Sequence, residues 1–486
     1  MNGKMIKTAC RTVATTLLLT IFVLSSSCSD WLDVRPKTEE EASVHFSTDD
    51  GFKSALAGVY IMLSKPELYG KELTFGMIGM LAQEWGDGDD LYSNSDYSYL
   101  RDYNYERAGS KWRIEGVWTN MYKAIANINT LLQYTELQGS VLNEYNYGVI
   151  RGEALALRAF MHFELFRMFA PHDFSDASAL YIPYVLEPEP VVSPQLTANA
   201  FFELALKDID EALGLLKVDP IFTGADVTGV DNGYLANRNF HLNYYAVLGL
   251  KARVALYKGD HQQALAAARE VIGAKEQKAL FPWVDPNDLT TTYINLRDRT
   301  FSSEHLFALH IPLLNEYIKG CFREFTKPRT VRIDPNSLYE PDDFRKAIYE
   351  TYSGASNVLS KFWQMDNEYI AGVGTVKPKR DRMPVIRVSE MYYIEAECLK
   401  ESDLAAAVSS LNKLRSGRGL EPIKGIDSGE KLQEELTREY YREFVGEGQL
   451  YFYHKRIGTP NIDKQHANAN YVFPMPDLEI DLGKRE

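Results

Sequence analysis

The strongest constraint on this chain is a helix-pair plan that recurs along it. In Tyr244 to Ile272 the turn Gly259-Asp260 joins two helical patterns, and Ala264 and Ala268 supply small residues on the second. Met391 to Arg415 repeats the plan, with Ser402-Asp403 as the turn and Ala407 placed as Ala264 is. Small residues there let a partner helix cross closely, and a single pair cannot bury its own apolar face. Several pairs must therefore stack. A weaker pair lies around 151–216. Its first helix, Arg151 to Phe169, carries Ala154, Leu155, Arg158, Phe160, Phe163, Leu165 and Phe166 and stops at Pro171. Its second is an amphipathic run from Thr197 to Leu216, reached through the Pro-rich stretch 183–194.

The expected fold is mainly α, with tetratricopeptide-like helix pairs forming a helical scaffold that carries long loop-rich insertions and a few short strands. A generic antiparallel bundle is the alternative. Upstream, Asp49 to Ser64 reads as a helix capped by Ser47 or Thr48 and ended by Pro66. Val117 to Thr135 has Met121, Ile125, Ile128, Leu131 and Leu132 at helical spacing. Tyr69 to Lys111 and Leu280 to Gly374 read as long aromatic loops, the kind of segment in which binding usually resides. Short strands are expected at Tyr181–Val185, Phe307–Ile311 and Pro384–Val388.

The first residues set the compartment. Lys4, Lys7 and Arg11 precede an apolar run, Val13 to Leu24, then Ser25-Ser26-Ser27-Cys28. This is the pattern of a secretory signal (1–27) with a lipoprotein processing box, and the run is shorter than the roughly 20 apolar residues of a membrane span. The mature chain is expected to begin at a lipidated Cys28, held by acyl chains of which two or more make a stable anchor. An ordinary cleaved signal with an incidental Cys28 is the alternative. Loss of the signal moves the formal net charge from −14 to −17. With no basic stripe to neutralise phosphates, nucleic acid is excluded as a partner. Cys321 and Cys398 are then the remaining cysteines, and sequence leaves their pairing open.

Several runs resemble the SusD/RagB nutrient-uptake lipoproteins of Gram-negative outer membranes. Cys28-Ser29-Asp30-Trp31-Leu32-Asp33 followed by Pro36 is similar to the family's mature terminus, and 151–163 to its long central helix. Residues 386–397 and 411–415 resemble its later repeat, and Arg442-Glu443-Phe444-Val445-Gly446-Glu447-Gly448 and Phe473-Pro474-Met475-Pro476 follow in family order. Leu450 and Tyr453 depart from the Arg and Asp common after that Glu-Gly. The resemblance implies an N-terminal SusD-like part (28–225) and a C-terminal RagB/SusD part (226–486) in one intertwined body. It also implies an outward-facing, lipid-anchored outer-membrane protein that captures oligosaccharide and delivers it to a SusC-like TonB-dependent outer-membrane transporter. A peptide ligand in the same loops, or a scaffold that binds only protein, are the alternatives.

No catalytic signature stands in the chain: His-Glu-x-x-His, Gly-x-Ser-x-Gly and paired Cys/His spacings are absent. An enzyme is not expected. Glu395/Glu397 and Glu439/Glu443/Glu447 read as structural salt links, and His162 as a packed core histidine. Sugar recognition needs flat aromatic faces and planar polar groups. Trp85 and Tyr92 with Asn94, and Trp283 and Tyr293 with Asn295 and Arg297, are the candidate ligand-binding residues, with Trp363 as a third centre. Trp85 and Trp283 serve equally well as the private cores of their loops. The alternation of Tyr97 to Tyr105 resembles a strand face, so some of those tyrosines are expected to be packing. Asp87, Asp89 and Asp90 form an oxygen cluster open to Ca²⁺, but further ligands of a calcium loop are missing and a solvated turn explains them. No cofactor is expected.

Overall fold

The computed structural model describes residues 37–485 except 87, 89, 90, 92–94, 190, 228, 324–326 and 464–467, with side chains described from Glu41 onward. The signal, Cys28, Tyr92, Asn94 and the three aspartates therefore lie outside the described residues. Among those described, no helix is long and apolar enough to cross a membrane.

The scaffold helices follow local signals. α1 (Asp49–Leu63) is capped by Thr48, whose hydroxyl accepts from the Gly51 amide at 3.1 Å. α2 (Ala108–Leu137) begins well before the apolar pattern does, and α3 (Glu144–Phe169) starts at the Asn143 cap. Thr197 caps α4 (Ala198–Leu215). α5 (Tyr244–Lys258) ends at Gly259, whose φ of +87° supplies the left-handed residue that closes a helix. Asp260 then caps α6 (His261–Lys278). α7 (Val388–Leu399) and α8 (Leu404–Ser416) repeat this arrangement with Asp403 as the cap. α9 (Gly429–Glu443) and α10 (Gln449–Arg456) complete the scaffold.

Each helix from α1 to α8 packs on the next, so α3/α4, α5/α6 and α7/α8 are the stacked pairs. Their apolar faces merge into one core that includes Phe160, Phe163, Phe166, Leu250, Ile272, Met391 and Leu411. The chain is mainly α, as expected.

Four antiparallel ribbons make up the described sheet structure: β1 (Leu180–Pro183) with β2 (Gln195–Thr197), β3 (His305–His310) with β8 (Arg382–Arg387), β4 (Tyr349–Tyr352) with β5 (Ala355–Leu359), and β6 (Glu368–Ile370) with β7 (Gly374–Val376). The β3/β8 ribbon runs from His305↔Arg387 to His310↔Arg382 and lies on α5. Gly249 permits this contact, since a Cβ there would meet Ile386 at 3.0 Å and Leu306 at 3.1 Å.

One segment differs from the expected strand face. Tyr97 to Tyr105 contains a helix, Asp96–Arg101, because the Ser95 hydroxyl accepts from the Ser98 amide and opens a turn. Tyr97, Tyr103 and Tyr105 are buried packing residues, and Tyr97 donates to Glu72 at 2.8 Å. His162 is a core residue. It takes the Val185 amide on Nε2 (2.9 Å), donates from Nδ1 to the Arg158 carbonyl (2.9 Å) and stacks on Tyr184. Burial pushes its pKa down to about 3, so the ring is neutral.

The acidic helices are salt-linked as expected. Glu397 binds Arg456 through both oxygens (2.6 and 2.7 Å), and Glu395 binds Arg269 at 2.7 Å. The densest network centres on Glu443. Its carboxylate receives Arg345 (2.8 Å), Arg387 (2.5 Å) and Arg418 (2.5 and 3.1 Å), all four side chains being wholly buried. Glu304 pairs Arg418 at 2.6 and 2.7 Å, Glu439 pairs Arg345 at 2.9 Å, and Glu447 pairs Arg387 at 3.0 Å as well as Lys361. The network joins α9 to β8, to the segment after α8 and to the insertion. Cys321 and Cys398 are not joined by a disulfide, which answers the open question of their pairing.

Glu84 is buried, and both its oxygens receive the Gly446 amide, at 3.2 Å each. Burial lifts its pKa from 4.5 to about 8, with the Gly446 amide and Lys361 opposing the rise. The folded chain thus keeps a proton that the unfolded chain releases, and stability falls by about 1.4 kcal/mol per pH unit between the two pKa values. Glu84→Gln is expected to remove this slope, so that the variant gains on the parent from pH 5 to 8 in urea titrations. Parallel pH profiles would show that Glu84 is ionised throughout.

Candidate ligand-binding site

The insertion between α6 and α7 brings the remaining polar and aromatic candidates together. Asp285 caps a short helix, Pro286–Thr290, by accepting from the Asn287 amide at 2.8 Å. A short 3-10 turn, Ile294–Leu296, then leaves Tyr293 43% exposed and Ile294 47% exposed. Asn295 donates to Glu368 on β6 at 2.8 Å, which ties this turn to the β6/β7 hairpin and its exposed Tyr369. Arg297 donates from Nε to the Thr291 carbonyl (3.1 Å) and from a terminal nitrogen to Glu350 on β4 (3.3 Å). Tyr293, Asn295 and Arg297 thus lie in one loop cluster.

Glu350 and Tyr352 both stand on β4, with an irregularity in the β4/β5 pairing between them. Tyr352 meets Trp363 edge-on at 5.6 Å between ring centroids and donates to the Arg323 carbonyl at 2.7 Å. The Arg323 guanidinium stands 5.3 Å from the Trp363 ring centre, within cation–π range. Arg299, 3% exposed in its side chain, lies 3.6 Å from Glu350 and donates to the Ile294 carbonyl at 3.2 Å. The cluster combines half-buried aromatic rings with planar hydrogen-bonding groups, the pairing that oligosaccharide recognition needs.

Two expected residues are elsewhere. Trp85 is a core residue, 0% exposed, with Nε1 donating to the Phe75 carbonyl (2.9 Å) and Phe322 edge-on at 5.3 Å. Its backbone bridges Val331. It cannot offer a face to a sugar, because the ring is packed on Phe322 and its nitrogen is held by the Phe75 carbonyl. Trp283 belongs to the scaffold side. It lines an open cleft of about 650 Å³ with Lys275, Tyr392, Asn412 and Lys413, and none of Tyr293, Asn295 or Arg297 reaches that cleft. Gly417 is pressed on its ring, where a Cβ would come within 2.7 Å, and Lys275 Nζ lies 4.0 Å from the ring centre. Tyr92 and Asn94 are outside the described residues, as are Asp87, Asp89 and Asp90. Among the described residues no group of three His, Cys, Asp or Glu side chains is placed to hold a metal ion.

Arg299, Arg323, Glu350, Glu368 and Tyr369 were not among the expected site residues. The Arg297-Asp298-Arg299 alternation was a usable signal, whereas Glu350 gains its meaning only from partners more than fifty residues earlier in the chain.

A stack of helix pairs carrying a loop-built site of rings and planar polar groups defines a scaffolded binding protein. Two family models match the sequence, one described as starch-binding and associating with the outer membrane over residues 30–221, the other as the SusD family over residues 348–475. The chain belongs to the SusD/RagB family. No curated protein matches it. Solved structures share the fold. A SusD superfamily protein from Bacteroides thetaiotaomicron is 22% identical, with 90% of this chain and 98% of that one covered and a TM-score of 0.66. Surface glycan-binding protein A from Bacteroides fluxus is 18% identical, with 89% and 96% covered and a TM-score of 0.66. Surface glycan-binding protein A from Bacteroides thetaiotaomicron in complex with laminarihexaose is 18% identical, with 90% and 98% covered and a TM-score of 0.65.

Proposed function

We propose that this chain is a lipid-anchored protein of the outer-membrane surface, without catalytic activity, that captures an oligosaccharide and passes it to a SusC-like TonB-dependent transporter. The observation that carries this reading is the cluster of Tyr293, Asn295, Arg297, Tyr352 and Trp363 in one insertion of a SusD-family scaffold. The similar glycan-binding protein solved with laminarihexaose supports the ligand class. Exposed rings give area against the C–H face of a pyranose, and the amide and guanidinium groups select hydroxyls.

The test is calorimetry and thermal shift of residues 29–486 against soluble glycans and mixed peptides. A ligand at 100 times its Kd adds about 2.7 kcal/mol of stability, which a melting scan resolves. A Tyr293→Ala, Trp363→Ala double variant is expected to lose at least about tenfold in affinity at unchanged fold, since each ring carries about 1 kcal/mol or more of contact. A peptide response with glycan silence would replace the ligand class, and undiminished glycan binding by the double variant would displace the site.

A further inference from the structure

Among the described residues, the charge of the loop cluster is unbalanced in a way that neutral sugar binding does not require. Arg297, Arg299 and Arg323 converge on one side of β4, and Glu350 is the carboxylate set between the first two, at 3.3 and 3.6 Å. Asp298, which separates Arg297 from Arg299 in sequence, turns inward. Both its oxygens accept from the Ser302 amide (3.1 and 3.0 Å), one also takes the Ser302 hydroxyl (2.7 Å), and Lys379 stands 3.3 Å away. Glu368 is held by the Asn295 amide. Neither is paired with the three guanidinium groups.

Among the described residues of the cluster, the unmet hydrogen-bonding capacity is all donor. Arg299 is almost wholly buried, yet its Nε and one terminal nitrogen have no hydrogen-bond partner. Trp363 Nε1 is likewise buried and unpartnered. Burial makes Arg299 easier to deprotonate than usual, Glu350 opposes this, and the neighbouring charges of Arg297 and Arg323 add to it. A buried charge without a full set of acceptors is costly unless an anion completes it. Arg297, Glu350, Tyr352 and Trp363 are only half-buried, and Arg297 and Arg299 both reach Glu350. Guanidinium groups meet the paired oxygens of a carboxylate or sulfate in a planar, bidentate manner that hydroxyls do not match.

We propose that the ligand is an acidic oligosaccharide whose carboxylate or sulfate is read by Arg297 and Arg323 beside Trp363, with the buried Arg299 adding positive charge behind them. The inference rests on the glycan-binding reading above and narrows it. Glu350 bridges Arg297 and Arg299 and offsets their mutual repulsion, so it competes with an anionic ligand for both.

The experiment is calorimetry on the full mature chain with four probes: a galacturonic-acid hexamer, its methyl ester, a sulfated glucan hexamer and laminarihexaose. The expected result is binding of the acid hexamer or the sulfated hexamer about tenfold or more tighter than its neutral counterpart, with the preference shrinking as salt rises. Which of the two responds identifies the anion. Arg297→Gln and Arg323→Gln, each checked for an unchanged melting profile, are expected to lower the preference, and Glu350→Gln to raise it. A gain from removing a carboxylate is an outcome that a purely structural role for Glu350 does not produce. Equal binding of acid and neutral probes would overturn the anion assignment while leaving glycan capture standing. Absence of response to all four would overturn both.

Discussion

Glu443→Ala is expected to leave little folded protein at 37 °C. The carboxylate is the meeting point of Arg345, Arg387 and Arg418, and none of the four side chains has access to solvent. The three arginines hold this carboxyl group well below the usual carboxylate range even though burial acts in the opposite direction. Removing one partner of a buried ion pair costs about 3–5 kcal/mol, because the other charge stays behind undersolvated. Here three cations lose the same partner, with Glu304, Glu439 and Glu447 left to share the load. Total stabilities are typically about 5–15 kcal/mol, so the loss is a large share of the whole. The measurement is the denaturation midpoint of Glu443→Ala beside Glu443→Gln and Glu316→Ala. Glu443→Gln keeps the shape and some of the hydrogen bonds and should fall between. Glu316 pairs Lys319 at 3.1 Å on an exposed surface, where such a pair contributes about 0–1 kcal/mol. Similar midpoints for Glu443→Ala and Glu316→Ala would mean that water or a rearranged side chain reaches the network.

Trp85→Ala should cost about 3–5 kcal/mol, as do other large-to-small changes at wholly buried aromatic positions. The indole packs edge-on against Phe322, and its ring nitrogen satisfies the buried Phe75 carbonyl. Its edge-on contact with Phe322 places it against the segment Lys319–Arg323. The variant is therefore expected to bind ligand weakly only to the extent that it is unfolded or that the Arg323 segment shifts. Calorimetry at 10 °C, where folded protein remains, separates these effects from direct stacking. A stable variant with lost affinity would return Trp85 to the site.

The contrast between Trp85 and Trp363 explains what could be read in advance. The scaffold was legible because its information is local: caps such as Thr48, Asn143, Thr197, Asp260 and Asp403 stand next to apolar periods, and a helix closes its own hydrogen bonds. Tyr97 to Tyr105 misled because alternating aromatics outweighed the Ser95 cap, which was present in the sequence. The insertion was opaque for another reason. Strands such as β4 lack a clean alternation of buried and exposed positions, and Glu350 or Arg323 acquires a role only from residues brought near by the fold. Whether a loop tryptophan faces a ligand or the interior depends on partners such as Phe322 that lie hundreds of residues away.

The β3/β8 ribbon has a consequence for how such a protein changes over time. Because His310 pairs with Arg382, and the Ile311 amide donates to the Asp381 carbonyl at 2.8 Å, the long excursion between them leaves and re-enters the helical stack through adjacent strands. To the stack, the excursion is a closed loop whose length hardly matters: each doubling costs about 0.6 kcal/mol in closure entropy. Segments can be added to it or exchanged within it without moving a helix, provided that Arg345 and Lys361 keep their places in the buried network and Val331 its pairing with Trp85, the stitches that hold the excursion down. Ligand preference can then drift from one descendant to the next while the architecture that presents it stays the same.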